Sequence, residues 1–168
     1  MVNDIQTNLG FPIRGRRVLL LGAGGAARGV VLPVLAQHAA ELVIVNRTVA
    51  KAQLLKELFS PYGAVASCGY ADLAGRNFDI VLNATTTSLH GELPPITAGI
   101  FARGCLAYDM VYGKGLTPFL RLARDAGAAR LADGAGMLVE QAAEAFLWWR
   151  GVRPSTRAML DAIAVPLV

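Results

Sequence analysis

The sequence predicts an α/β fold, a doubly wound and mostly parallel six-stranded sheet with helices on both faces. Three observations predict it. Short apolar runs of strand length alternate with amphipathic runs of helix length, as in a sheet covered on two sides. A glycine-rich turn follows the first apolar run and opens a helical one. Hydrophobic residues make up 54% of the 168 and charged residues 17%. That balance excludes a disordered chain, and the length suffices for one buried core.

The elements follow in order. Asp4–Leu9 places Ile5 and Leu9 one turn apart and reads as helical. Gly10–Gly15 is a Gly/Pro connector. Arg17–Leu21 is a short buried strand, Ala26–Gln37 a helix and Leu42–Val45 a second buried strand. Val49–Phe59 is a helix with Ala52, Leu55 and either Leu58 or Phe59 on one face, and Pro61–Gly63 breaks it. Val65–Ser67, Ile80–Asn83, Cys105–Asp109 and Ala129–Leu131 supply four further strands. Thr117–Ala126 is a helix with Pro118 in its first turn. Gly136–Trp149 and Pro154–Ile163 are the last helices.

Several function classes drop out early. No apolar run reaches the ~18 residues that span a bilayer, and Met1–Gly10 lacks the basic start of a signal peptide. The net charge is +4, but the cations are scattered and not interleaved with aromatics. A small anionic ligand therefore fits better than nucleic acid. Cys68 and Cys105 form no metal-ligand spacing and read as half-buried thiols of a reducing, cytoplasmic setting, with no metal site. His38 closes a helical run and reads as a surface residue, and His90 sits in a loop.

The sharpest local signal is Gly22-Ala23-Gly24-Gly25-Ala26-Ala27-Arg28. Gly22, Gly24 and Ala27 satisfy the G-x-G-x-x-G/A spacing between a strand and a helix. The first glycine permits the tight turn and the second lets backbone approach a pyrophosphate. The small third residue lets helix and strand pack closely. Free N–H groups and the helix dipole then hold the phosphate charge. A methyltransferase also opens with such a loop, and a glycine turn serves any doubly wound fold.

The end of the second strand narrows the choice. It closes on Asn46-Arg47-Thr48, with Lys51 one helical turn later. An NAD enzyme or a methyltransferase wants a carboxylate there for the ribose hydroxyls. Arg47 instead suits a 2′-phosphate, which it can grip in bidentate fashion, while Asn46 and Thr48 can donate further hydrogen bonds. The reading is NADP over NAD. Against it stands a merely solvated basic face, although cations are slightly unfavourable at a helix N-terminus.

Six stretches together resemble the C-terminal half of the shikimate dehydrogenase family. They are Gly22–Arg28, Asn46–Thr48, Asn83–Thr86, Tyr108–Tyr112, Lys114–Pro118 and Asp133–Ala142. The resemblance implies a Rossmann-like NADP-binding domain of an oxidoreductase that interconverts shikimate and 3-dehydroshikimate in aromatic amino-acid biosynthesis. It implies residues 1–15 as an N-terminal helix and interdomain connector and 16–150 as the binding domain. Residues 151–168 would form a C-terminal helix that packs back on the domain or cleft. Gly22, Ala23, Gly24, Gly25, Ala26 and Ala27 would hold the pyrophosphate, and Asn46, Arg47, Thr48 and Lys51 the adenosine 2′-phosphate. Thr85, Thr86 and Thr87 would approach the ribose and diphosphate. Met110 and Gly134 would lie near the nicotinamide, and Tyr112 and Gln141 would face shikimate or a similar polyhydroxy cyclohexene carboxylate.

By themselves Tyr112 reads as a surface aromatic and Tyr108 as a core residue. Gln141 reads as a polar residue beside an apolar face containing Leu138 and Ala142. The family's catalytic Lys and Asp belong to its substrate domain, in motifs expected before residue 1. None of Lys51, Lys56 and Lys114 has that context. The expectation is a chain that binds NADP, turns over shikimate negligibly and has its own N-terminal substrate domain as partner. The segment Met1–Phe11 and the cleft face are expected to expose apolar residues, with a homodimer as a consequence. The alternatives are a quinate/shikimate dehydrogenase and a non-catalytic NADP-binding module.

Overall fold

In the computed structural model, which describes residues 1–163 and 165–167, all six strands are parallel and hydrogen-bonded in the order β3-β2-β1-β4-β5-β6. They are β1 Arg17–Leu21, β2 Glu41–Val45, β3 Val65–Cys68, β4 Phe78–Asn83, β5 Phe101–Asp109 and β6 Arg130–Ala132. The helices are α1 Gly25–Leu35, α2 Val49–Phe59, α3 Pro118–Asp125, α4 Ala135–Arg150 and α5 Arg157–Ile163. From the expected terminal segment 151–168, Ala164 and Val168 lie outside the described residues.

Alternation along the strands divides the core in two. Val18 and Leu20 of β1 join Leu42, Ile44, Ile80 and Leu82 beneath α1 and α2. Leu19 and Leu21 point the other way, to Val43, Val45, Val81 and the α3 residues Phe119, Leu120 and Ala123. Every strand residue from Val18 to Leu21 is fully buried, as a parallel sheet covered on both faces requires.

Some boundaries moved, for local reasons. β5 begins at Phe101, four residues before the expected Cys105, because Phe101 pairs with Phe78. The register then shifts between Phe78 and Ile80, where Gly104 adopts φ +80° and Arg103 is exposed. This polar, irregular stretch hid the strand's start. In α2 it is Phe59 that packs on the core, and Leu58 is exposed.

The N-terminal segment corrects an expectation. Asp4–Asn8 forms one π-helical stretch, and Ile5 and Ile13 are fully buried. Met1, Val2, Leu9 and Phe11 pack half-buried against the same core. The apolar residues of Met1–Phe11 are thus covered by this chain itself. The most exposed of the large apolar side chains are instead Trp148 and Trp149 near the end of α4, each 80% exposed.

Candidate functional site

The chain runs from β1 outward to β2 and β3, then returns to place β4 on the other side of β1. The carboxyl ends of β1 and β4 therefore diverge at a switch point, where open α/β sheets bind ligands. A cleft of about 390 Å³ opens there. Gly22, Ala23 and Gly24 line it from β1, Asn46, Arg47, Thr48 and Lys51 from β2 and α2, and Thr85, Thr86 and Thr87 from the end of β4.

The glycines have distinct physical roles. Gly22 adopts φ +107° and donates its N–H to the Val45 carbonyl at 2.8 Å. A Cβ there would approach the Ala84 carbonyl oxygen at 3.2 Å, so both conformation and space select glycine. Gly24 is the N-cap of α1, with φ −86° and no side-chain cap. A Cβ on Gly24 would meet nothing within 4 Å. The space over it is open, and the first-turn N–H groups of α1 lie beside that space.

Across the cleft α2 also starts without a side-chain cap, at Thr48. No acidic residue stands in its first turn. The Asn46 side-chain amide donates to the Thr48 carbonyl at 2.9 Å, which turns the loop and uses one of the donors expected for a ligand. Arg47 and Lys51 are exposed, and neither forms an ion pair among the described residues. Two exposed cations without an ion-pair partner among the described residues thus stand at a helix start that has no side-chain cap, an arrangement that favours an anion.

Three lining residues were not anticipated: Tyr70, Glu92 and Pro95. Tyr70 lies two residues beyond β3, the strand next to β2, and that adjacency was the one available signal. Burial pushes its phenol up from the ordinary range, with the Arg47 cation pulling the other way. His90 also lines the cleft, exposed at its rim.

A second, more apolar groove of about 450 Å³ lies on the α1 side of the sheet ends, lined by Gly25, Ala26, Met110, Met137 and Gln141 among others. Gly134 is tightly held, since a Cβ there would sit 2.3 Å from the Met110 carbonyl oxygen. Gln141 is exposed on the groove's edge. The helix face beside it differs from expectation. Leu138 and Ala142 are exposed, whereas Ala135, Val139, Glu140 and Ala143 are buried. Glu140 takes a core-side position because Asn3, Asn8 and Arg153 all hydrogen-bond its carboxylate. Tyr112 is 49% exposed and lines neither cavity among the described residues.

At the strand ends a buried polar network underlies both cavities. The Asp109 carboxylate accepts from Ser88 at 2.6 Å, Thr117 at 2.7 Å and Asn83 at 3.2 Å. Burial pushes this carboxyl above the ordinary range, and the hydrogen bonds from Ser88, Thr117, Val111 and Asn83 oppose the shift. Cys68 and Cys105 are both free and buried, away from the cleft lining.

Comparison with known proteins agrees in both sequence and shape. A model described as shikimate / quinate 5-dehydrogenase matches residues 5–90, and one described as the shikimate 5′-dehydrogenase C-terminal domain matches residues 134–164. The shikimate dehydrogenase (NADP(+)) of Nitrosospira multiformis is 59% identical over 160 residues, which is 95% of this chain and 58% of that protein. The crystal structure of an Ael1 enzyme from Pseudomonas putida is 57% identical with a TM-score of 0.93, covering 99% of this chain and 61% of that one. A shikimate 5-dehydrogenase from Thermus thermophilus, solved in complex with shikimate, is 31% identical with a TM-score of 0.77, covering 95% and 57%. The chain thus spans about three fifths of the length of these relatives.

Proposed function

This chain belongs to the shikimate / quinate 5-dehydrogenase family, and from that premise we propose that it is the NADP-binding part of a shikimate dehydrogenase. The reaction is shikimate and NADP⁺ to 3-dehydroshikimate, NADPH and a proton. The observation that carries the reading is the pairing of Arg47 and Lys51 at an uncapped helix start, facing the glycine turn across one cleft.

The residues present fit the dinucleotide. Open space over Gly24 leaves room for a diphosphate against backbone N–H groups. Arg47, Thr48 and Lys51 hold the 2′-phosphate, with Asn46 shaping the loop beneath them. Thr85, Thr86 and Thr87 approach the ribose and diphosphate from the end of β4. Met110 lines the apolar groove that would take the nicotinamide, and Gly134 packs closely against the Met110 carbonyl beside it. Bound there, the cofactor would supply the hydride acceptor for the substrate's alcohol carbon. Gln141 faces shikimate from the groove's edge, and Tyr112 does so from the loop after β5.

Proton transfer to or from the reacting hydroxyl needs a positioned acid or base. The Lys and Asp motifs that the family uses do not occur in these 168 residues. The chain by itself therefore binds NADP and turns over shikimate negligibly. The relatives' greater length leaves room for a substrate domain that supplies those groups. Residues 16–150 form the binding body, with 1–15 as connector and 151–168 as a C-terminal segment that carries α5, Arg157–Ile163. A cytoplasmic setting suits two buried free thiols. Exposed Trp148 and Trp149 favour a homodimer, detectable by sedimentation at micromolar concentration.

The test is a titration with NADPH and NADH, repeated on Arg47→Ala. Charge-assisted contacts of this kind are worth about 1.5–3 kcal/mol, so NADPH affinity is expected to fall by that amount while NADH hardly changes. Equal binding of both dinucleotides by the unsubstituted chain would refute the phosphate-site reading.

A further inference from the structure

Asp109 is the last residue of β5 and has no exposed surface. Its two carboxylate oxygens gather donors from separate segments. Oδ2 accepts from the hydroxyls of Ser88 at 2.6 Å and Thr117 at 2.7 Å. Oδ1 accepts from the Asn83 amide at 3.2 Å and from the Val111 N–H at 3.2 Å.

Asn83 carries the chain of bonds into the cleft. Its Oδ1 accepts from the Thr85 N–H at 3.1 Å and the Thr85 hydroxyl at 2.6 Å, and the hydroxyls of Thr85 and Thr87 lie 2.7 Å apart. The Asn83 amide also donates to Ser88 at 3.1 Å. On the other side, the Met110 N–H donates to the Asn83 carbonyl at 2.9 Å, beside the Val111 bond to Asp109.

A carboxylate needed only to seat α3 would be satisfied by Thr117, the N-cap of that helix. Here the remaining bonds go to two ligand-facing loops instead. We infer that Asp109 is a positioning residue that couples the two cavities, making the Thr85–Thr87 loop and the Met110–Tyr112 loop respond as one unit. The inference rests on the cofactor-site reading above. The physical basis is a buried network whose members are paired and therefore stiff. A ligand that fixes the hydroxyls of Thr85 and Thr87 fixes Asn83, and through Asp109 it restrains the Val111 N–H.

The test uses adenosine 2′,5′-bisphosphate, which has the adenosine phosphates of NADP but no nicotinamide, with amide NMR as readout. In the unsubstituted chain it should shift the amides of Thr48 and Lys51 and also those of Val111 and Gly113. In Asp109→Ala the first set should persist and the second disappear. Asp109→Asn keeps an acceptor for Val111 and Asn83 and should restore the second set. NADPH affinity of Asp109→Ala should fall about 2- to 30-fold, the span of typical coupling energies.

Shifts at Val111 and Gly113 that are absent from the unsubstituted chain, or unchanged in Asp109→Ala, would overturn the coupling and leave the cofactor site standing. No shift at Thr48 or Lys51 would overturn the cofactor site and the coupling with it. If Asp109→Ala does not fold, Asn83→Ala replaces it, since it removes the side chain that links Thr85 to Asp109 and leaves the Val111 bond in place. Weakened distant shifts would then support the coupling, and undiminished ones would overturn it.

Discussion

The Tyr108 hydroxyl donates a hydrogen bond of 2.6 Å to Asp4 Oδ2, joining two buried residues 104 positions apart. The other Asp4 oxygen accepts from Asn8 at 2.8 Å. Gly136 closes over this pair, because a Cβ there would lie 2.1 Å from Asp4 Oδ1. One bond therefore ties the N-terminal helical stretch to β5 and to the start of α4. Tyr108→Phe leaves a buried carboxylate oxygen without its donor, and a loss of about 1.5–3 kcal/mol is expected. Urea unfolding followed by circular dichroism measures it. Gly136→Ala should destabilise the same corner, because the carboxylate has no room to retreat.

Two glycine substitutions separate binding from folding. Gly24→Ala adds a methyl where nothing lies within 4 Å, at a backbone conformation open to any residue. The fold should lose no more than about 1 kcal/mol, since only an N-cap preference is given up. NADPH affinity should drop sharply, because the methyl occupies the space assigned to the diphosphate. Gly134→Ala does the reverse. Its Cβ would collide with the Met110 carbonyl at 2.3 Å, and backbone cannot yield as a side-chain tip can. A fall in melting temperature should appear even without ligand. Equal melting behaviour of the two variants would contradict the open-space reading of Gly24.

These relationships also mark what sequence could reveal. The runs Val18–Leu21 and Leu42–Val45 announced their strands because both faces of a parallel sheet are buried and every position is apolar. The cleft was legible through Gly22, Gly24 and Arg47, since those residues carry conformational and charge requirements in their own types. Tyr70, Glu92 and Pro95 belong to no spacing that marks a dinucleotide site and reach the cleft only by the path of the chain between strands. Gly134 was singled out by resemblance, whereas its collision with Met110 belongs to three-dimensional packing. Glu140 misled the reading of α4 for a related reason. A charged residue took a buried place because its partners come from positions 3, 8 and 153, and no helical period displays that.

Cys105 predicts behaviour at alkaline pH. Burial first of all, with the Asp79 charge adding to it, pushes the thiol up to about 12. The native form holds its proton above the ordinary thiol range, whereas the unfolded form releases it. Stability from this group is complete below about pH 9 and is lost as pH rises toward about 12, by up to about 1.4 kcal/mol per pH unit. Burial and Asp4 raise the Tyr108 phenol in the same sense. Melting temperature should therefore decline above about pH 9. Cys105→Ala should flatten part of that decline. Alkylation of Cys105 at pH 8 should require unfolding, because thiolate and not thiol is the nucleophile.

Glu140 governs the acid side. Burial alone would raise its carboxyl, but hydrogen bonds from Asn8, Asn3, Thr156 and Arg153 together outweigh it and hold the group below the ordinary range. A carboxyl lowered in the native state contributes stability that is present above its unfolded value and lost as pH falls through the native one. The window lies from about pH 4.5 downward. Its partners come from the N-terminal stretch, through Asn3 and Asn8, and from the segment after α4, through Arg153. Protonation should loosen both attachments together. Glu140→Gln should lower melting temperature at neutral pH and flatten its fall below pH 4.5, and hydrogen exchange should quicken at residues 3–8. An acid limb identical to that of the unsubstituted chain would show that other carboxylates set it.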